Sequence, residues 1–314
     1  MTSGPTEGPD LSPEEAFVVL GNETRLKILQ VLGDHGGVMS FTALRNAVGI
    51  RQGGQFNYHL DKLVGHFVAK TEAGYSLRIP GQRIVEAVLS GTVTMDPKLD
   101  LTELEFTCRI CGHPISVSYQ LERLELYCSG CAGQYKREEK GRESVLDTSD
   151  GWLGGYQLSP AGAVDRNPIE LLYASSLRSH LANVARSNGL CPACDGRVER
   201  VVTVCEDHSA QDGLCDVCQR RHAIQVTISC TQCPDELDGM AVNVLVADLG
   251  LRRFVADQGI DPLTEGFRWG WDYEEQIHST DPLDASFIFE VNGETIAVTV
   301  NESLDVVDME VDPP

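Results

Sequence analysis

No stretch of roughly 18 consecutive apolar residues occurs in the 314-residue chain, so no transmembrane helix is expected. The opening Met1-Thr2-Ser3-Gly4-Pro5 lacks the basic-then-apolar pattern of an export signal, which points to a cytoplasmic protein. A glycine loop for phosphate, a nucleophile triad and paired catalytic carboxylates with supporting context are also missing. An enzyme is therefore not expected, and no small-molecule substrate is evident. Lysine is scarce: six residues against nineteen arginines. What remains is globular in character, with 42% hydrophobic residues and length for two or three domains.

The net charge is −22, from 25 basic and 47 acidic residues, which at first sight disfavours a nucleic-acid partner. Its distribution changes that view. Residues 1–98 hold nine Lys/Arg and ten Asp/Glu, a balance of −1, and residues 99–314 hold sixteen against thirty-seven, a balance of −21. The acidity sits behind the first domain. An acid-rich, lysine-poor composition also resembles proteins of salt-accumulating archaea, whose cytoplasm screens such self-repulsion.

Residues 11–98 read as one domain. Ser12-Pro13-Glu14-Glu15 is a helix start, with Ser as N-cap, Pro in the first turn and Glu15 closing a capping box. A second helix begins at Asn22 and carries Leu26, Leu29 and Leu32, with Gly33 as its expected end. A third opens at Ser40, presents Phe41, Leu44 and Val48, and stops at Gly49. A fourth starts near Gln52 to Gln55 and buries Phe56, Leu60, Leu63 and Phe67 at helical spacing. Val68–Thr71 and Tyr75–Arg78 then read as strands around Gly74, and a fifth helix spans Arg83 to Leu89. Helix, helix, turn, helix, hairpin is the order of a winged helix-turn-helix. The fourth helix would enter the major groove, offering Gln52, Gln55, Asn57, Tyr58, His59 and Lys62 to bases and phosphates. Arg51 in the turn, with Lys70 and Arg78 on the wing, would position the domain on phosphates. A generic helical bundle with a solvated polar face is the bland alternative.

Leu20-Gly21-Asn22-Glu23-Thr24-Arg25-Leu26-Lys27-Ile28-Leu29 resembles the opening of the arsenical-resistance-repressor (ArsR-like) winged-helix family. Tyr58-His59-Leu60-Asp61-Lys62-Leu63 resembles that family's recognition helix, and Gly74-Tyr75-Ser76-Leu77 its wing exit. The resemblance covers roughly residues 14–90. It implies a homodimeric transcription regulator that binds double-stranded DNA. It does not extend to metal sensing, because the third helix, where that family carries its sensor cysteines, has no Cys or His here. The longer arrangement, with cysteine pairs after the winged helix, resembles regulators of haloarchaeal type.

Ten of the eleven cysteines fall in five Cys-x-x-Cys pairs, a pattern of metal or redox chemistry in a protein without an export signal. Cys108, Cys111, Cys128 and Cys131, expected within residues 104–140, have the spacing of a zinc ribbon holding one Zn2+. Strand-like Ile115–Tyr119 and Leu124–Tyr127, turning through Leu121-Glu122-Arg123, would bring the two pairs together. A second module, residues 167–238, has a helix (Ile169 to Arg186, apolar through Leu171, Leu172, Ala174, Leu177 and Leu181) and eight candidate ligands. They are Cys191, Cys194, Cys205, His208, Cys215, Cys218, Cys230 and Cys233, enough for two zinc ions. Strand-like Val198–Val204 and Ala223–Ser229 each span roughly 23 Å, too long for one ion to join their ends. As an antiparallel hairpin they would place Cys205, His208, Cys215 and Cys218 at one end and Cys191, Cys194, Cys230 and Cys233 at the other. Interleaved pairing stays open if the strands do not pair. His222 has no matching partner and is not expected to be a ligand.

The helix of the second module reads as a spacer, a dimer contact or core packing. Residues 239–314 read as a small α+β region: a helix over Ala241–Gln258, then strand-like Phe267–Trp271, Ser286–Val291, Thr295–Val300 and Leu304–Val307. Asn292-Gly293 is a hairpin-turn signal, and Trp269 and Trp271 are candidates for a pocket or for the core. The expected class is thus a multidomain α+β chain: winged helix, zinc ribbon, zinc-binding hairpin module and C-terminal α+β region. Two functions remain: a zinc-stabilised regulator binding DNA as a homodimer, or a protein-interaction module of a basal transcription or RNA-processing assembly. In the first, the thiols are structural or form a redox or metal switch.

Overall fold

The computed structural model describes residues 11–136, 151–210, 213–270 and 272–312; Met1 to Pro5, residues 137–140 of the expected ribbon and Trp271 lie outside them. The chain divides into two compact units, residues 1–95 and 96–314.

The first unit is built from α1 (Pro13–Leu20), α2 (Glu23–His35), α3 (Phe41–Val48), α4 (Gly53–Leu63), β1 (Val68–Thr71), β2 (Gly74–Leu77) and α5 (Ile79–Leu89). Ser12 and Glu15 form the reciprocal capping box, while Asn22 and Ser40 cap α2 and α3 through their side chains. Gly33 does not end α2. The helix runs on to His35 and closes at Gly36 in the left-handed region. A Cβ on Gly33 would stand 2.8 Å from Val85 Cγ1, so this glycine serves the close approach of α5. Phe56, Leu60 and Leu63 of α4 are fully buried with Ile28, Leu29 and Leu44 in one core. The wing gains a third rung through Met39, which exchanges two 2.8 Å backbone hydrogen bonds with Tyr75. Gly74 permits that approach, since a Cβ there would lie 2.2 Å from the Met39 carbonyl oxygen. The arrangement is a winged helix-turn-helix.

The second unit opens with an antiparallel four-stranded sheet in sequential order: β3 (Leu99–Thr107), β4 (Pro114–Gln120), β5 (Arg123–Cys128) and β6 (Trp152–Gln157). The β4–β5 turn passes through Leu121 and Glu122, both at positive φ. The outer strands β3 and β6 extend beyond the expected ribbon and make its sheet wide enough to carry a helix. After the short α6 (Pro160–Ala163) comes α7 (Pro168–Ser187), capped by Asn167 and Glu170 in a second capping box. Leu171 and Leu172 bury against the sheet in the common core, whereas Leu181 is 52% exposed and His180, Asn183 and Arg186 point inward instead. This helix is part of the core rather than a spacer.

Strands β7 (Val198–Val204), β8 (Ile224–Cys230) and β9 (Glu236–Met240) form an antiparallel sheet, with Val198 opposite Cys230 and Val204 opposite Ile224. The segment expected as one helix over 241–258 divides into α8 (Val242–Leu245) and α9 (Leu249–Asp257), because Asp248 turns extended and caps the second piece. Gly266–Arg268 forms a 3-10 turn rather than a strand, and Trp269 beside it is buried against Phe289 as a core residue. A sequential antiparallel sheet closes the chain: β10 (Tyr273–Thr280), β11 (Leu283–Val291), β12 (Glu294–Val300) and β13 (Val306–Asp312). Asn292 and Gly293, both at positive φ, make the β11–β12 turn. The segments read as separate modules share one continuous core from Leu104 to Leu304.

Candidate metal centres and nucleic-acid interface

All eleven cysteines are unbridged. Among the described residues they assemble, with His208, into three tetrads: Cys108/Cys111/Cys128/Cys131, Cys191/Cys194/Cys230/Cys233 and Cys205/His208/Cys215/Cys218. The hairpin of β7 and β8 separates the last two, so the pairing is by ends of the ladder and not interleaved. Within each set the ligand atoms lie within 4.8 Å of one another.

The turns that aim the sulfurs repeat one backbone pattern. The N–H of Cys108 donates to the His113 carbonyl at 2.7 Å, and Gly112 N–H donates back to the Cys108 carbonyl at 2.8 Å. Cys191 with Gly196 and Asp195, and Cys215 with Arg220 and Gln219, form the same two bonds. In all three turns the fifth residue, Gly112, Asp195 or Gln219, has positive φ, which reverses the chain inside six residues. Cys230 likewise donates to the Asp235 carbonyl, but Pro234 stands where the second donor would be.

Sulfur spacing matches a four-coordinate ion. Tetrahedral Zn–S bonds of about 2.3 Å imply sulfur–sulfur edges of roughly 3.8 Å. The observed pairs are Cys108–Cys131 3.9 Å, Cys111–Cys128 3.3 Å, Cys191–Cys233 3.6 Å and Cys194–Cys230 3.5 Å. In the third tetrad His208 Nδ1 lies 3.5 Å from Cys218 Sγ. Its Nε2 lies 3.0 Å from the Arg221 carbonyl oxygen, which only accepts, so Nε2 carries the proton and Nδ1 keeps a free lone pair. Backbone N–H groups also reach sulfur, from Gly130 to Cys128 and from Gln232 to Cys230 at 3.3 Å.

The thiols of a set do not ionise alike. Knuckle hydrogen bonds, led by the Cys218 N–H, bring Cys215 down to about 6, and the Gln232 N–H leads in bringing Cys230 to about 7. Burial opposes ionisation of Cys111, but hydrogen bonds from His113 and Cys128 outweigh it and hold that thiol at about 7. Burial pushes Cys131 up to about 11 and drives Cys108 higher still. Four neighbouring thiolates repel, so a set becomes fully anionic only around a cation. These donor sets fit a structural divalent ion such as zinc.

His222 belongs to none of the sets; its ring stacks on Tyr273 at 3.9 Å and an interplanar angle of 8°. Beside it, the Glu275 carboxylate accepts from the N–H groups of Ala223 at 2.6 Å and Ile224 at 3.3 Å. This acid joins β10 to the strand leading out of the third tetrad, and no local motif marks it. A second pair that sequence reading missed is Arg186–Asp235, a two-pronged ion pair at 3.0 and 2.7 Å with 9% and 13% of the side chains exposed. It ties α7 to the knuckle that holds Cys230 and Cys233.

In the first unit Arg51, Gln52, Gln55, Asn57, Tyr58, Lys62, Lys70 and Arg78 are exposed, and His59 is half-buried. Asn57 donates to Asp61 at 2.6 Å one turn along α4, and Lys62 lies over the Tyr58 ring at 5.9 Å. Helix α1 buries no residue completely, leaving Phe17 75% and Val18 72% exposed.

Residues 105–306 match a family described as "Domain of unknown function (DUF7351)", and residues 13–88 match "Domain of unknown function (DUF7347)". The first match takes in more than half of the chain, which therefore belongs to the DUF7351 family. No curated protein and no solved structure matches it. Among the described residues, no helix is long and apolar enough to cross a membrane.

Proposed function

We propose that this protein is a DNA-binding transcription regulator of ArsR-like type, acting as a homodimer, with zinc in all three tetrads. The observation that carries the reading is the outer face of α4 in a winged helix-turn-helix unit. That face is polar and exposed through Gln52, Gln55, Tyr58 and Lys62, and Asp61 is its one acid. Arg51 in the turn before α4, with Lys70 and Arg78 on the wing, is exposed as well, as phosphate-positioning cations are in major-groove readers. The near-neutral balance of the first unit supports the same partner. Exposed Phe17 and Val18 on α1, with Ile79 and Leu89 on α5, offer apolar area for a second copy. A protein-docking role for α4 would favour an apolar patch there, and Tyr58 is its only large exposed hydrophobic residue.

The zinc ions would act structurally, fixing knuckles at the ends of strands whose own ladders are short. Genome-wide crosslinking of the tagged protein in its native salt tests the regulator reading. Discrete, reproducible sites are expected; their absence would overturn it.

A further inference from the structure

The second unit contains a cleft of about 860 Å³ between α7, β6 and β9, framed by the Cys191 and Cys215 knuckles. Its charge runs against that of the unit around it. Residues 99–314 carry sixteen basic and thirty-seven acidic side chains. Among the described residues, five of those sixteen line the cleft (Arg123, Lys136, Arg178, Arg186 and Arg220), with three of the thirty-seven acids, Asp235, Glu236 and Asp238. The lining is therefore +2, by five minus three, inside a region of −21.

The pairing of those cations is uneven. Arg186 is engaged by Asp235, and Arg220 by Asp238 at 2.9 Å and Gln225 at 2.7 Å. Arg123 has one long ion pair, 3.5 Å to Glu125. Arg178 is exposed and has no hydrogen-bond or ion-pair partner among the described residues. The same lining includes a stretch without side chains, Gly154-Gly155 in β6. Nothing stands within 4 Å of a Cβ position on Gly154, and a Cβ on Gly155 would meet Arg123 Nη2 at 2.7 Å. Glycine in a strand interior opens a sheet surface to a closely approaching group. The amides of Asn183 and Asn243 complete a polar wall.

We propose that this cleft binds a small, multiply charged anion, phosphate- or carboxylate-bearing, gripped by Arg123 and Arg178 over the Gly154-Gly155 floor. Its size is that of a small-molecule site. Guanidinium forks recognise phosphate and carboxylate alike through paired N–H donors. The inference concerns the second unit alone and does not depend on DNA binding by the first.

The test is calorimetric titration of the full-length, metal-loaded chain with pyrophosphate and, separately, citrate at fixed ionic strength. One saturable site per chain is expected for at least one of them, and the stronger titrant identifies the anion chemistry. Arg178→Ala, which removes no hydrogen bond or ion pair among the described residues, should weaken binding about tenfold, and Arg123→Ala with Arg178→Ala should abolish it. Arg253→Ala, an exposed basic residue outside the cleft, should bind as the parent does. Absence of saturable binding by both anions up to about 10 mM would overturn the proposal. So would a double variant that binds normally, or binding of duplex DNA with neither small anion.

Discussion

His208 turns Nδ1 toward the Cys218 sulfur at 3.5 Å while its opposite nitrogen is held by a backbone carbonyl. A histidine so oriented is a metal ligand in waiting, and its partners come from the turn end of the β7–β8 hairpin. The pairing of tetrads is therefore a property of strand register.

That register makes a stoichiometric prediction. The full chain should carry three zinc ions by elemental analysis, one per tetrad. Cys191→Ser with Cys230→Ser should reduce three to two, because both belong to one set. An interleaved arrangement would spread the two changes over two sites and leave one. His208→Ala should cost only the third ion.

The Arg186–Asp235 pair is the second point of attack. Breaking a buried, hydrogen-bonded pair from one side leaves an unpaired charge and costs about 3–5 kcal/mol. Arg186→Ala should accordingly lower the melting temperature of the second unit by roughly 10 °C. Arg186→Met with Asp235→Leu should recover much of that loss. Equal losses in the single and double variants would show that packing, not charge, is at stake.

Glu275 gives the protein a pH dependence of definite sign. Burial raises its carboxyl from 4.5 to about 7 against two backbone N–H donors that favour the anion. A folded-state value above the unfolded one means that stability is full below about 4.5 and is lost as pH rises through about 7. The loss is on the order of 3 kcal/mol at most. Glu275→Gln keeps an acceptor for the Ala223 N–H, so the stability difference between variant and parent should grow in the variant's favour from pH 5.5 to 8. A difference that stays flat would contradict this.

On the DNA face, side chains aimed at bases and side chains aimed at phosphates should separate. On a recovered site, Asn57→Ala and His59→Ala should weaken site selection, each by about 1–3 kcal/mol. Arg51→Ala and Lys70→Ala should weaken binding to all duplexes and reduce the salt slope by about one each. Competitive fluorescence anisotropy with site and scrambled duplexes distinguishes the two outcomes.

How far the sequence reached depended on whether a signal was local. Caps at Ser12, Asn22 and Ser40, the stripe of Phe56, Leu60 and Leu63, and the Asn292-Gly293 turn are short-range chemistry and were readable as such. Candidate ligands followed from cysteine spacing, whereas their pairing stayed open until β7 was seen to pair with β8. Features set by distant contacts were not readable. Gly33 looks like a helix stop until Val85 is packed against it. Leu181 fits an apolar stripe, yet the inward positions of α7 go to His180, Asn183 and Arg186 because polar partners from Asp235 and Asn243 await two of them there. Strand β6, Trp152-Leu153-Gly154-Gly155-Tyr156-Gln157, has little alternation of its own and exists by pairing to β5. The anion cleft is assembled from residues as distant as Arg123 and Asn243, so no window of sequence contains it.

The most direct test of the central claim is selection of duplexes from a random pool by the purified, metal-loaded full chain. Sequence-specific recognition by a homodimer predicts enrichment of one motif with twofold symmetry, lost on Gln55→Ala with His59→Ala. Retention of duplexes without an enriched motif, or no retention at any salt concentration, would contradict it.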